Sequence, residues 1–264
     1  MPAKHPDKDR NFDDLSQRFS RNIYDSPKGR LRLAVLKRDF QQFVDRPQLD
    51  ILDAGAGQGQ FGLWLAQQGH KVVLTDISSE MLAEAQKAAS AHTFEYPPAF
   101  YQRDLWSLRA ALSTDADNDG RYDLVACHAV LEWLENPLDA VAELAGLVRP
   151  GGWLSLLFYN VHGLVFKNLL RASYKRVLNK DLKGQKGSLT PINPLDPNEV
   201  LAAVANAGLV TAAHSGVRVF HDYILNRDDQ AKDYATAEAL ELALSTQEPY
   251  RSLGRYVHVL ARKV

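Results

Sequence analysis

The sequence predicts an α/β fold built on a mostly parallel sheet, and three observations predict it. Short apolar runs alternate with stretches of helical spacing, a glycine-rich turn follows the first such run, and an acidic residue closes the second. Strand, glycine turn, helix, strand, acid is a βαβ unit, whose crossovers are right-handed. The chain has 264 residues, 45% of them hydrophobic and 24% charged, enough for one large α/β domain. We therefore expect a single domain over 1–264, with an N-terminal helical segment over 1–46 and an insertion over 161–198.

Residues 1–10 are charged and read as loose. Leu15, Phe19 and Ile23, then Leu31, Leu33, Leu36, Phe40 and Phe43, fall at helical spacing, and Ser26-Pro27-Lys28-Gly29 divides them into two helices. Leu49 to Asp53 is the first strand and runs into a glycine loop ending at Gly59. A helix from Phe61 to Gln68, stopped by Gly69, leads to the second strand, Lys71 to Leu74, which ends at Thr75-Asp76. Ser79 to Ser90 is helical, Phe100-Tyr101 is a short strand, and Tyr122 to His128 is a buried one. Pro137 to Leu147 is a helix, and Arg149-Pro150-Gly151-Gly152 turns into the strand Trp153 to Phe158. Residues 161–190 break the rhythm. A helix over 199–207, a strand from Leu209 to Phe220 interrupted at Gly216, a helix from Asp229 to Ser245 and a strand from Tyr256 to Val264 complete the chain. Two closing strands of this kind are typical of the methyltransferase variant of the doubly wound fold. The expectation is a Rossmann-like class I methyltransferase: a mostly parallel seven-stranded sheet flanked by helices, with N-terminal helices and a basic insertion after the fifth strand.

The net charge of −1 says nothing about partners, so any nucleic-acid site must come from local clustering. One cysteine, Cys127, allows neither a disulfide framework nor a cysteine-based zinc site, which fits a reducing cytoplasm. The polar start has no secretory h-region, and no apolar run reaches the ~18 residues of a membrane span. Asp115 to Gly120 looks like the opening of a calcium loop, but its twelfth position is Ala126 rather than a bidentate acid, so no metal is expected.

Asp53-Ala54-Gly55-Ala56-Gly57-Gln58-Gly59 has the form D-x-G-x-G-x-G. Glycine permits positive φ and lets a ligand lie against bare backbone. A dinucleotide site would place its third glycine where this chain has Gln60. The observed spacing suits S-adenosylmethionine, which has no pyrophosphate to cradle. Asp76 can accept both ribose hydroxyls. The competing readings are a tight turn that binds nothing and a nicotinamide site. Gln102-Arg103-Asp104 follows the third strand, near an adenine or else as a surface turn. His128 ends the fourth strand on the ligand side of the sheet, beside the sulfonium, or else is a hydrogen-bonded core residue.

Lys167, Arg171, Lys175, Arg176, Lys180, Lys183 and Lys186 follow the fifth strand, with Asp181 as the one acid of that stretch. Spacing of four puts Lys167, Arg171 and Lys175 on one helical face, the footprint of a phosphate backbone, against the alternative of a solvated face. Tyr159 and Asn160 end a strand on the ligand side. Arg218, His221 and Tyr223 belong to a basic and aromatic stretch suited to stacking on an unpaired base, or else to core and rim.

The strings Arg10 to Asp14, Phe19 to Tyr24, Leu52 to Gly55, His128 to Trp133, Leu147 to Gly152, Phe158 to Asn160, Gly216 to Tyr223 and Gln247 to Tyr250 resemble the tRNA 5-carboxymethoxyuridine methyltransferases over almost the whole chain. The resemblance implies methyl transfer from S-adenosylmethionine to the carboxylate of 5-carboxymethoxyuridine at wobble position 34, giving the methyl ester on a tRNA anticodon stem-loop. It implies cofactor contacts from Arg32, Gly55, Ala56, Gly57, Asp76, Gln102, Arg103 and His128. A carboxylate is ionised at pH 7, so no general base is expected. Two other classes compete: a small-molecule carboxyl or phenol methyltransferase, which would not need the basic insertion, and a non-catalytic RNA-binding protein, which would not bind S-adenosylmethionine.

Overall fold

The computed structural model describes residues 9, 26–44, 46–112, 120–184, 191–226 and 228–264. The expected helix through Leu15, Phe19 and Ile23, the turn at 115–119 and Lys186 lie outside them. Seven strands form one sheet: β1 (Asp50–Ala54), β2 (Lys71–Asp76), β3 (Ala99–Gln102), β4 (Tyr122–His128), β5 (Val148–Tyr159), β6 (Leu209–Val217) and β7 (Tyr256–Lys263). Their order is β3-β2-β1-β4-β5-β7-β6. The first five pair in parallel, and β7 enters antiparallel between β5 and β6.

Strands buried on both faces must be apolar on successive residues rather than on alternate ones. Ile51 and Leu124 face one layer, with Phe40, Phe61 and Trp153, while Leu52 and Val125 face the other, with Leu144, Leu154 and Val200. Each such side chain contributes roughly 1.5–3 kcal/mol by leaving water. Helices α1 (Pro27–Asp39), α2 (Gln41–Val44) and α3 (Gln60–Gln67) come before β2, and α4 (Ser79–Ala89) follows it. Later come α5 (Leu108–Leu112), α6 (Pro137–Gly146), α7 (Val161–Leu170), α8 (Tyr174–Leu178), α9 (Pro197–Asn206) and α10 (Tyr234–Leu244). Ser26 caps α1 by accepting the Gly29 N–H at 3.3 Å, with Pro27 in the first turn where its missing donor costs nothing.

Three sequence readings change. The fifth strand begins at Val148, and Arg149 to Gly152 bulge opposite Asp123, because Tyr122 pairs with Val148 and Leu124 with Trp153. The sixth strand stops at Val217 rather than Phe220, since Arg218 turns the chain with φ +58°. The basic stretch is not one helix. Ala172 at φ +53° separates α7 from α8, so Lys167 and Lys175 lie on different helices with Arg171 at the cap between them. Spacing of four therefore does not give a shared face, and Lys167 is half-buried while Arg171 and Lys175 are exposed.

Candidate active site

β1 and β4 are neighbours whose following connections diverge, which opens a crevice at their carboxyl ends. The glycine loop forms its floor. Gly55, Gly57 and Gly59 all have positive φ, at +73°, +56° and +76°. At Gly55 a Cβ would also meet Val130 Cγ2 at 2.3 Å, so backbone approaches side chain too closely for any other residue. The loop is fixed to β2: Thr75 O accepts the Gly55 and Ala56 N–H groups at 2.8 and 2.9 Å. Asp76 accepts the Gly57 N–H on one carboxylate oxygen and the Ser78 N–H on the other, both at 2.8 Å.

Arg32, Gly55, Ala56, Gly57, Asp76, Arg103 and His128 all line this cavity, together with Asp104, Val130, Trp133 and Tyr256. Gln102 does not; its side chain donates to Ile77 O at 3.1 Å. Asp9, expected to be loose, also lines the cavity, accepting from the Trp106 indole at 2.7 Å and from the Glu135 N–H at 2.9 Å.

His128 is the end of a buried hydrogen-bond chain that the sequence did not reveal. Its Nε2 lies 2.8 Å from Ser155 Oγ, which lies 2.9 Å from His258 Nε2, and His258 Nδ1 lies 2.7 Å from Asp39 Oδ2. Burial raises the Asp39 pKa, but the His258 hydrogen bond, the His258 charge and Arg38 outweigh it and leave it lowered. The ionised Asp39 carboxylate accepts a hydrogen bond from His258 Nδ1–H, and Ser155 Oγ bridges the Nε2 atoms of His258 and His128. The remaining nitrogen, His128 Nδ1, is buried and has no hydrogen-bond partner among the described residues. Burial holds the His128 pKa well below its usual value, with the His258 and Arg32 charges adding, so the ring is neutral. Burial also pushes Asp53, beneath the loop, up to about 7, against its Gly62 hydrogen bond.

On the β5–β7 side, Glu132 is fully buried, and among the described residues neither carboxyl oxygen has a partner at full hydrogen-bond geometry, the N–H groups of Glu132 and Tyr159 being the donors that favour its ionised form. Burial pushes its pKa up to about 8, so it carries a proton at neutral pH. The Tyr159 ring packs edge-on against Tyr256 at 5.2 Å. Three residues expected to contact substrate make hydrogen bonds elsewhere in the protein. Asn160 caps α7 and donates to Ser252 O and Gly254 O at 2.9 and 2.8 Å. His221 is buried beside Gln230 O, and the Tyr223 hydroxyl sits 2.6 Å from Leu253 O. The 217–223 stretch therefore offers no stacking face at His221: the turn at Arg218 folds that ring inward. Among the described residues no group of three or more His, Cys, Asp or Glu could hold a metal ion, and no helix is long and apolar enough to cross a membrane.

Cβ-free backbone at the loop, an acid at the next strand end and a buried nitrogen of His128, unpartnered among the described residues, fit S-adenosylmethionine. With a sheet closed by an antiparallel last strand, they define a class I S-adenosylmethionine-dependent methyltransferase. Residues 52–156 match the family described as a methyltransferase domain. The fold is shared with magnesium protoporphyrin IX methyltransferase of Synechocystis, at TM-score 0.59 and 19% identity over 96% of each chain. A ubiquinone biosynthesis O-methyltransferase of Leptothrix cholodnii is 32% identical, over 42% of this chain and 45% of that one. The tRNA 5-carboxymethoxyuridine methyltransferase of Escherichia coli K12 is 40% identical over 97% of both chains, and the present chain belongs to that family.

Proposed function

We propose that the enzyme transfers the methyl group of S-adenosylmethionine to the carboxylate of 5-carboxymethoxyuridine at tRNA wobble position 34, giving the methyl ester. The observation that carries this reading is the 40% identity sustained over 97% of both chains, against partial matches to methyltransferases of small molecules. The cofactor supplies an electrophilic methyl group on a sulfonium. Asp76 would accept the ribose hydroxyls, Gly55, Ala56 and Gly57 would bear the nucleoside edge, Arg103 and Asp104 would border the adenine, and Arg32 would pair with the methionine carboxylate. Gln102 would contribute through its backbone, its side chain being occupied. A neutral His128 adds no repulsion toward a sulfonium.

The acceptor carboxylate is ionised at pH 7, so the protein's task is orientation rather than proton removal. Charge disappears as the methyl moves, so tight cationic pairing of that carboxylate would stabilise the ground state. The protonated Glu132 places no negative charge against the incoming acceptor. Tyr159, with Tyr256, supplies an aromatic wall for the uridine, and Lys167, Arg171, Lys175 and Arg218 supply charge for the anticodon stem-loop.

The test is incubation with S-adenosylmethionine and two anticodon stem-loops, one carrying carboxymethoxyuridine and one plain uridine, followed by nucleoside mass spectrometry. Methylation of the first alone is expected, with the methyl lost in mild alkali as an ester must be. An alkali-stable product, or turnover on plain uridine, overturns the reading.

A further inference from the structure

Four cations gather around one carboxylate behind the tyrosine pair. Asp222, 8% exposed, lies 3.1 Å from Arg218 Nη2, 3.5 Å from Lys28 Nζ and 3.8 Å from Arg255 Nε. Lys167 faces the same group from α7 and feels the charges of Arg255, Asp222, Arg171 and Lys28. The other acid near the cluster is Glu241. It is buried and spends its carboxylate on the N–H groups of Val219, Phe220 and His221, at 2.7, 3.2 and 2.9 Å. Even with Glu241 counted as fully ionised, four positive groups meet two negative ones among the described residues.

Surplus charge in a buried place is unfavourable unless something answers it. Burial pulls the Lys167 pKa down to about 8, with the Arg255 charge adding and the Asp222 charge opposing. Two buried guanidinium nitrogens, Arg218 Nε and Arg255 Nη1, have no hydrogen-bond partner among the described residues, although an arginine offers five donors. The backbone is strained to hold this arrangement. Arg218 sits at φ +58°, and the Arg255 N–H donates to its carbonyl at 3.3 Å.

The cluster adjoins the reaction cavity without being part of it. Arg218 lies over the Tyr256 ring at 5.1 Å and Arg255 over the Tyr159 ring at 4.5 Å. Tyr256 lines the cavity, whereas Arg218 and Arg255 do not. We propose that Lys28, Lys167, Arg218 and Arg255 form an oxyanion site that takes a phosphodiester of the RNA backbone next to the reacting nucleoside. A phosphodiester keeps its charge through the reaction, so unlike the acceptor carboxylate it gains from a permanent cationic cradle. The two guanidiniums thus stand one aromatic ring behind the cavity wall. This inference deepens the proposed function and rests on it for the identity of the RNA.

Lys28 and Lys167 are half-buried and can be changed without opening the core, so the test uses the double variant Lys28→Gln, Lys167→Gln. Fluorescence anisotropy with the carboxymethoxyuridine and plain-uridine stem-loops is expected to show both RNAs weakened alike, by roughly tenfold or more. The slope of log affinity against log salt should fall by about one, the share of one phosphate. Calorimetry should find S-adenosylmethionine affinity unchanged. Inorganic phosphate, at matched ionic strength against chloride, should raise the melting temperature of the wild type and not of the variant. Weakening confined to the carboxymethoxyuridine RNA would mean the site holds the acceptor carboxylate, which overturns the proposal. So would unchanged RNA affinity with no phosphate effect, which would leave the cluster an internal ion network. Failure of the proposed function shows separately, as absence of methylation on the modified stem-loop by the wild type.

Discussion

Along the β1–β3 rim, the cavity meets the bare backbone of Gly55 and Gly57, both at positive φ, and an Asp76 whose carboxylate is anchored by neighbouring N–H groups. Behind the β5–β7 rim, where Tyr256 faces the cavity, lie buried side chains: Glu132, Tyr159 edge to face with Tyr256, and cations crowded round Asp222. The first rim is shaped by what is missing, a Cβ, and is inexpensive for the fold to keep. The second concentrates charge in a low-dielectric place and holds together only through mutual compensation. Substitutions should therefore act on the first rim through shape and on the second through electrostatics.

The largest effect is expected on the second rim. Asp222→Ala leaves four cations facing one another, and loss of a buried partner costs about 3–5 kcal/mol. Urea denaturation at pH 7 measures it, and a loss under 1 kcal/mol would mean that water already screens the cluster. Burial would raise the Asp222 pKa, but Arg218, Lys28, Arg255 and Lys167 pull it down to about 2. A depressed carboxyl stabilises the fold above its unfolded value, so this contribution should vanish as pH falls from about 4 to about 2.

Gly55→Ala tests the first rim. A left-handed alanine costs about 1–2 kcal/mol, and the clash with Val130 adds about 1–3 kcal/mol. Adding Val130→Ala should restore the clash share and leave the φ share, in thermal melts and in cofactor calorimetry alike. If the double variant recovers fully, backbone conformation at Gly55 carries no cost.

Glu132→Gln removes a buried acid with an amide of similar shape. In the folded state the carboxyl stays protonated up to about 8, while in the unfolded chain it ionises near 4.5. The wild type therefore loses stability as pH rises through that window, by about 1.4 kcal/mol per unit. Between pH 5 and 7 the Gln variant should gain on the wild type by about 2–3 kcal/mol, read from denaturation curves at the two pH values. Parallel curves would show that Glu132 is already ionised.

The smallest effect is expected at the exposed residues. Arg171→Gln with Lys175→Gln should weaken stem-loop binding by less than about 1 kcal/mol, because solvated charges are screened. Anisotropy at low and physiological salt checks this. A loss as large as that of the Lys28 and Lys167 pair would erase the distinction between buried and exposed cations.

The same contrast explains what the sequence disclosed. The glycine loop and Asp76 were legible because they belong to one βαβ string whose spacing has a mechanical meaning. The acceptor side was not. Lys28 and Arg255 sit in no motif, and only folding brings α1 and the start of β7 to Asp222. Asp39 and His258 are 219 residues apart, so the chain behind His128 has no local signature. Lys167, Arg171 and Lys175 misled for the opposite reason. Their spacing looks helical, but an alanine at positive φ, which composition does not announce, ends the helix between them.

The position of β7 has a consequence for biosynthesis. It is made after β6, yet it lies between β5 and β6, so β6 has no place in the sheet until residues 256–263 have emerged. The same few residues carry Tyr256 to the cavity and His258 to Ser155, with Arg255 just before them. A ribosome releasing this chain early would deliver the cofactor loop intact beside an unfinished sheet, with β5 exposing an edge to other chains. A premature stop codon near residue 255 should thus yield insoluble protein rather than a slow enzyme.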